Sequence, residues 1–261
     1  MKIITSLTTT PFRINLFLPT IQSILNQTIP IDSIEINIPY IFKRDDTTYE
    51  IPEWLSDLEQ SSKDTKCQIK IFRTEDYGAV TKVAPTLIRH KDSKHTYVWS
   101  LDDDFIYPEN MLAVLYREYS TTNNYVLSHS GGKWLYSDIF KECYSSDRTE
   151  GFVDFSEGFA SVLYPTCIVK DDFENYIGKT AENLDCRNSD DVIISNYIKL
   201  HNNKIYNCSY PYSDSMRLIN NGYLPYGSTP DALHQQGGGN SDRYKRVLNW
   251  LKTQNLNAWA K

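Results

Sequence analysis

The sequence predicts an α/β fold with a mostly parallel central sheet flanked by helices and a more irregular C-terminal half. Two observations carry that expectation. Short β-branched runs alternate with amphipathic stripes along residues 1–107, the pattern of parallel strands joined by crossover helices. Polar or acidic stretches then follow three of the runs: SLTTTP after the first, EDYG after the third and LDDDF after the fourth. In parallel sheets, ligands bind beyond the carboxyl ends of the strands. These three stretches are therefore the first place to look for a site.

The elements follow in order. Lys2–Leu7 is short, apolar and β-branched, which predicts a strand. Asn15–Gln27 sets Leu16, Leu18, Ile21, Ile24 and Leu25 on a helical stripe. Pro19 suits that helix only in its first turn. Ile34–Ile38 alternates with polar residues and reads as a second strand, with Gln68–Phe72 as the third. Thr81–His90 reads as a helix with Pro85 near its start, Thr96–Leu101 as the fourth strand and Glu109–Tyr119 as the helix after it. From Tyr125 the pattern loosens. Tyr125–Ser128, Lys133–Tyr136 and Gly151–Phe155 read as strands, and Asp171–Ile177 and Asp190–Leu200 as helices. Ser241–Leu251 is a closing helix behind the glycine-rich HQQGGGN. No repeat, low-complexity segment or linker divides the chain, so one domain over 1–261 is expected, with a regular half (1–107) and a variable half (108–261).

At 261 residues the chain can bury a sizeable core. Its net charge of −6, without a basic tract, excludes a nucleic-acid footprint. An acidic chain that holds a polyanion needs a cation to help. The five cysteines (Cys67, Cys143, Cys167, Cys186, Cys208) are odd in number and lack C-x-x-C spacing, which argues against a zinc site or a disulfide framework. MKIITSLTTT has too short an apolar run for a signal peptide, and no segment has the apolar length that spans a bilayer. A soluble, cytoplasmic protein is expected.

LDDDF admits two readings. Acids stabilise the positive end of a following helix, and Pro108 helps to start one; this explains one or two acids more readily than three. Alternatively, a D-x-D at a strand end sends one carboxylate to a metal and the other to a ribose or metal-bound water. Mg2+ and Mn2+ suit such hard oxygens. The alternate acids and glycine of an EF-hand are missing. In NSDD, Ser189 or Asp190 can cap a helix, or the acids can do chemistry. His234 in ALHQQGGGN is a structural or surface histidine, or a ligand. Trp134 and Tyr136 can stack on a sugar or pack in a core.

Taken in order, SLTTTPFRI, QSILNQT, EINIPY, EDYGAVTKVAPTL and SLDDDFIYPENM resemble the nucleotide-sugar glycosyltransferases of the GT-A fold. Within them, the resemblance is to a branch found in bacteria and large DNA viruses. It resumes at GFASVLYP, NSDDVIISNYI and LHQQGGGN. Ala79 stands where that branch usually has proline, and Phe159–Ser161 is poorer in glycine; both departures bear on the acceptor more than on the reaction class.

The resemblance implies a donor-binding half at 1–107 and an acceptor-binding half at 108–261. It implies that Thr8, Thr9 and Arg13 line the nucleotide pocket, that Asp76 hydrogen-bonds the base and that Lys82 sits near the donor phosphates or sugar. Asp102 would face the ribose or metal shell and Asp104 would ligate Mn2+ or Mg2+. Asp103 would hold sugar hydroxyls or point away. Asp191, or else Asp190, would take the acceptor proton in an inverting transfer; in a retaining one the pair would orient the acceptor. His234 would join the metal. Gly158, Phe159, Ala160 and Tyr164 would wall the acceptor, beside Trp134. The expected partners are a nucleoside-diphosphate-sugar, UDP-sugar first, and a glycan acceptor. A sugar nucleotidyltransferase would need a glycine-rich basic loop that TSLTTTPFRI lacks. A non-catalytic carbohydrate-binding protein would not need acids in all three motifs.

Overall fold

The computed structural model describes residues 1–119, 124–134, 150–208 and 239–259, and the backbone of 145–146 and 217–218. Four strands form the regular half: β1 (Lys2–Leu7), β2 (Ser33–Pro39), β3 (Gln68–Thr74) and β4 (Thr96–Ser100). Four more follow: β5 (Val126–Ser128), β6 (Gly151–Val153), β7 (Val162–Pro165) and β8 (Ile205–Asn207). They make one eight-stranded sheet in the order β6-β8-β5-β7-β4-β1-β2-β3. The pairs β3–β2, β2–β1, β1–β4 and β5–β8 are parallel. β7 runs antiparallel to both β4 and β5.

This order positions the site. The chain winds from β1 outward through β2 to β3, then crosses back to lay β4 on the other side of β1. The reversal between β1 and β4 opens a crevice at their carboxyl ends. SLTTTP leaves β1 and LDDDF leaves β4 at that crevice.

Both faces of the sheet are covered. Helices α1 (Leu18–Leu25), α2 (Glu53–Ser61) and α4 (Met111–Tyr119) contribute Ile21, Ile24, Leu55 and Leu112 to one core, which Trp99 enters from β4. Helices α3 (Ala84–Arg89), α5 (Phe173–Thr180), α7 (Asp190–Leu200) and α8 (Gly239–Thr253) build the other, which receives the neighbouring Val98. Pro19 and Pro85 lie in the first turns of α1 and α3, where their missing N–H groups cost nothing. No helix among the described residues is long and apolar enough to cross a membrane.

Several expectations shift. The polar residues of β2 are not on an open face: every residue from Ser33 to Pro39 is buried. Glu35 is held by Arg89 at 2.6 Å and His90 at 2.8 Å, and Asn37 bonds Ser6, Thr86 and Arg89. Burial would raise the Glu35 carboxyl, but His90 and Arg89 outweigh it and hold it below its usual range. The expected helix over Thr81–His90 is a 3-10 turn, Gly78–Lys82, followed by α3. The expected strand at Lys133–Tyr136 is Gly131–Lys133, and Tyr136 lies outside the described residues.

A clamp joins the two halves. Asp76 accepts from the Lys43 and Gly78 amides, both at 2.7 Å, and from Arg187, just after β3 and just before α7 respectively in the halves it links. Gly78 has φ +76°, and a Cβ there would lie 2.1 Å from the Arg187 carbonyl oxygen. Both the left-handed backbone and the close approach require glycine. Gly78→Ala is expected to lose at least about 2 kcal/mol in urea unfolding; a loss below about 0.5 kcal/mol would mean that the clamp is not tight in solution.

Candidate active site

Three adjacent acids at the end of β4 repel one another unless cations separate them. Two cations do. Arg13, in the turn after β1, reaches Asp103 at 3.0 Å and Asp104 at 2.9 Å. Lys82, the last residue of the 3-10 turn, holds Asp102 at 2.7 Å. The acid loop is fixed from behind. Thr20 of α1 donates to the carbonyls of Asp103 and Phe105, and the Asp102 amide donates to the Tyr107 hydroxyl.

Lys82 has a second partner. Its ammonium lies 2.6 Å from Asp190, in the first turn of α7. The Lys82 side chain is only 9% exposed. Burial would lower its proton affinity, but the charges of Asp102, Asp190 and Asp191 overcome this and raise its pKa well above that of an ordinary lysine. Gly158 makes room for the cluster. A Cβ there would stand 2.4 Å from the Lys82 nitrogen and 2.7 Å from Asp190.

Asp191, the next residue of α7, is half-buried. Its Oδ1 accepts from the Gly158 amide at 2.7 Å and its Oδ2 from the Tyr244 hydroxyl at 2.6 Å. Burial and the Asp190 charge push its carboxyl up to about 8, against Lys82 and the two donors. Asp104 is likewise pushed up to about 7 by burial and the Asp103 charge, and burial raises Asp103. Carboxyls so perturbed in a crevice mark a candidate for acid–base chemistry.

The crevice therefore gathers Arg13, Lys82, Asp102, Asp103, Asp104, Gly158, Asp190 and Asp191. Other expected site residues lie differently. Asp76 accepts in the clamp through both carboxylate oxygens, Oδ1 from the Gly78 amide and Oδ2 from the Lys43 amide and Arg187. The Thr8 hydroxyl donates to the Asn37 carbonyl, and Thr9 is buried. Ser189 begins α7 without capping it by its hydroxyl, which accepts instead from Arg243. Trp134 is a correction: its ring packs on Phe155, Tyr244 and Trp259 inside the second core, so it offers no open face to a sugar. Tyr164 is buried. Phe159 packs on Phe105 of the acid loop. His234 lies outside the described residues.

Among the described residues, no three His, Cys, Asp or Glu side chains form a metal-binding group. Asp102 pairs with Lys82 and Asp104 with Arg13, each a different side-chain cation. The donor chemistry nevertheless fits a hard divalent ion in part: Asp103 Oδ2 and Asp104 Oδ1 are buried without a hydrogen-bond partner.

Sequence reasoning missed Tyr107, Arg187 and Tyr244. Tyr244 shares a helical stripe with Val247, Leu248 and Leu251, which reads as ordinary core.

With this geometry, the architecture is a GT-A-like glycosyltransferase fold. Among solved structures the chain is similar to S. aureus TarS, with a TM-score of 0.55 at 13% identity, covering 100% of this chain and 41% of that one. It is also similar to TarS 1–349 in complex with UDP-GlcNAc, with a TM-score of 0.51 at 14% identity, covering 100% of this chain and 68% of that one. The chain thus spans well under half of the longer TarS chain, and the likeness is one of fold. No protein-family model matches the chain, and no curated protein matches it in sequence.

Because the folded-state pKa of Lys82 is raised, its contribution is complete at neutral pH and is lost only as pH climbs through that raised value. Lys82→Met is therefore expected to lose about 3 kcal/mol in urea unfolding at pH 7. The gap to wild type should persist and widen from about pH 6 to 9, below the ordinary lysine range, because the carboxylates left without the ammonium resist ionising in the folded state. A gap that closes by pH 9 would contradict the cluster.

Proposed function

We propose that this chain is a nucleotide-sugar glycosyltransferase. It transfers a sugar from a nucleoside-diphosphate donor, UDP-sugar first, to a hydroxyl of a glycan acceptor. The observation that carries this reading is Lys82: one ammonium joins Asp102 at a strand end to Asp190 at a helix start, across the crevice where such sheets bind ligands. Fold likeness to a TarS fragment in complex with UDP-GlcNAc supports the choice of donor.

Each residue then has a task. Thr8, Thr9 and Arg13 border the nucleotide. Lys82 places a fixed positive charge beside the diphosphate as its bond to the sugar breaks, where pre-oriented charge lowers the barrier most. Asp104, with Asp102 and His234, would hold Mn2+ or Mg2+, which supplies charge neutralisation to the leaving diphosphate. The unpartnered oxygens of Asp103 and Asp104 support a cation there. Asp191, whose proton affinity burial has raised, accepts the acceptor hydroxyl proton. Gly158 keeps the space that Lys82 and Asp190 occupy, and Phe159 borders the acceptor.

The test is UDP release from a panel of UDP-sugars with and without Mn2+. Wild type is expected to turn over with Mn2+ and to lose turnover with chelator. Asp104→Ala should lose the metal-dependent rate, and Asp191→Asn should lower kcat about 100-fold or more with donor affinity retained. Unchanged rates in both variants would overturn the assignment.

A further inference from the structure

The C-terminal helix sends three side chains to the corner between α6 (Leu184–Arg187) and α7. Arg246 pairs with Asp185 at 2.8 Å, Arg243 Nε donates to the Ser189 hydroxyl at 3.2 Å, and Tyr244 donates to Asp191 at 2.6 Å. The first two tie helix to helix. The third ends on the carboxylate that the proposed reaction uses.

Tyr244 has little freedom. It is 1% exposed, and its ring stands edge-on to Trp134 and Phe155, with centroids 6.3 and 6.2 Å away. The ring packing aims the hydroxyl, and the hydroxyl fixes Asp191. On the other oxygen the Gly158 amide completes the grip. The charged and titratable groups facing Asp191 are Asp190 on its own helix, Lys82 on the 3-10 turn, Tyr164 on β7 and Tyr244 on α8, with Arg243 nearby at Ser189. Asp190 disfavours the ionised carboxylate and Lys82 favours it. Both belong to the charge cluster and cannot be changed without disturbing it. Among the described residues, Tyr244 is the side-chain donor to Asp191 that can be removed while charge and backbone stay as they are.

We infer that Tyr244 is a positioning residue for Asp191, holding its carboxylate in one orientation and in its ionised form. This rests on the reading of Asp191 as the base. In that step the acceptor O–H bond breaks and its proton passes to an Asp191 oxygen. The acceptor oxygen forms a bond to the anomeric carbon, and the electron pair of the breaking sugar–phosphate bond leaves with the nucleoside diphosphate. A carboxylate oxygen carries two lone pairs, so Oδ2 can accept from Tyr244 and still take the proton.

The experiment titrates Asp191 directly, by carboxyl carbon NMR of the full chain labelled at aspartate, beside the pH profile of UDP release. Tyr244→Phe keeps the ring and removes only the donor. It is expected to raise the Asp191 midpoint by about one pH unit and to move the acid limb of kcat/KM upward by the same amount. Placing 3-fluorotyrosine at 244 alone supplies a stronger donor and is expected to move both the other way; this arm decides the matter if Tyr244→Phe does not fold. An unmoved midpoint in a folded variant overturns the inference. A midpoint that moves while the acid limb stays put upholds the Tyr244–Asp191 link and overturns Asp191 as the base.

Discussion

The crevice depends on one ammonium group. Lys82 lies between two carboxylates that come from distant parts of the chain, and each neighbouring feature serves that placement. Asp76 receives the Gly78 amide and so shapes the turn that ends in Lys82. The Ser6 hydroxyl donates to the Lys82 carbonyl at 2.5 Å and anchors the turn to β1. Gly158 gives up its side chain so that the ammonium fits. Buried ion clusters contribute little net stability compared with apolar packing of the same volume. A cluster of this kind in a ligand crevice is therefore better explained by chemistry than by folding.

The two cations of the acid loop differ in permanence. Arg13 and Asp104 are each about one-third exposed, at 34% and 32% of their side chains. An ion pair that open to water is worth roughly 0–1 kcal/mol and yields readily to a ligand. Lys82 is 9% exposed and doubly bonded. Lys82 is thus the more enclosed charge of the site, and the Arg13–Asp104 pair the more open one. Asp103, the most buried of the three acids, also pairs with Arg13.

The parallel half was legible because it is built locally. β-Branched runs name β1 to β4 almost residue by residue, and the helical stripe finds α1, but α2 between β2 and β3 went unread and the Thr81–His90 helix divides into a 3-10 turn and α3. Where reading failed, a distant partner had changed the meaning of a residue. Glu35 and Asn37 look like an exposed face until Arg89 and Thr86 reach them. Asp76 gives no local sign of its partner Arg187, 111 positions away. β7 lies in the middle of the sheet, yet GFASVLYP carries no alternation to announce it. Ser161, just before it, holds a left-handed φ of +82°, with Trp99 Nε1 donating to its hydroxyl at 3.1 Å. The acidic motifs were found as separate pieces. That Lys82 joins two of them is a fact of the fold, since its partners lie 20 and 108 positions further along the chain.

The central claim is that Lys82 couples the strand-end acids to the helix-start acids. A double-mutant cycle on Lys82→Met and Asp190→Asn, read by urea unfolding at pH 7, measures that coupling without reference to any substrate. The expected interaction energy is above about 1.5 kcal/mol, as for residues within one buried charge network. A value within about 0.3 kcal/mol of zero would show that the two residues act independently and would contradict it.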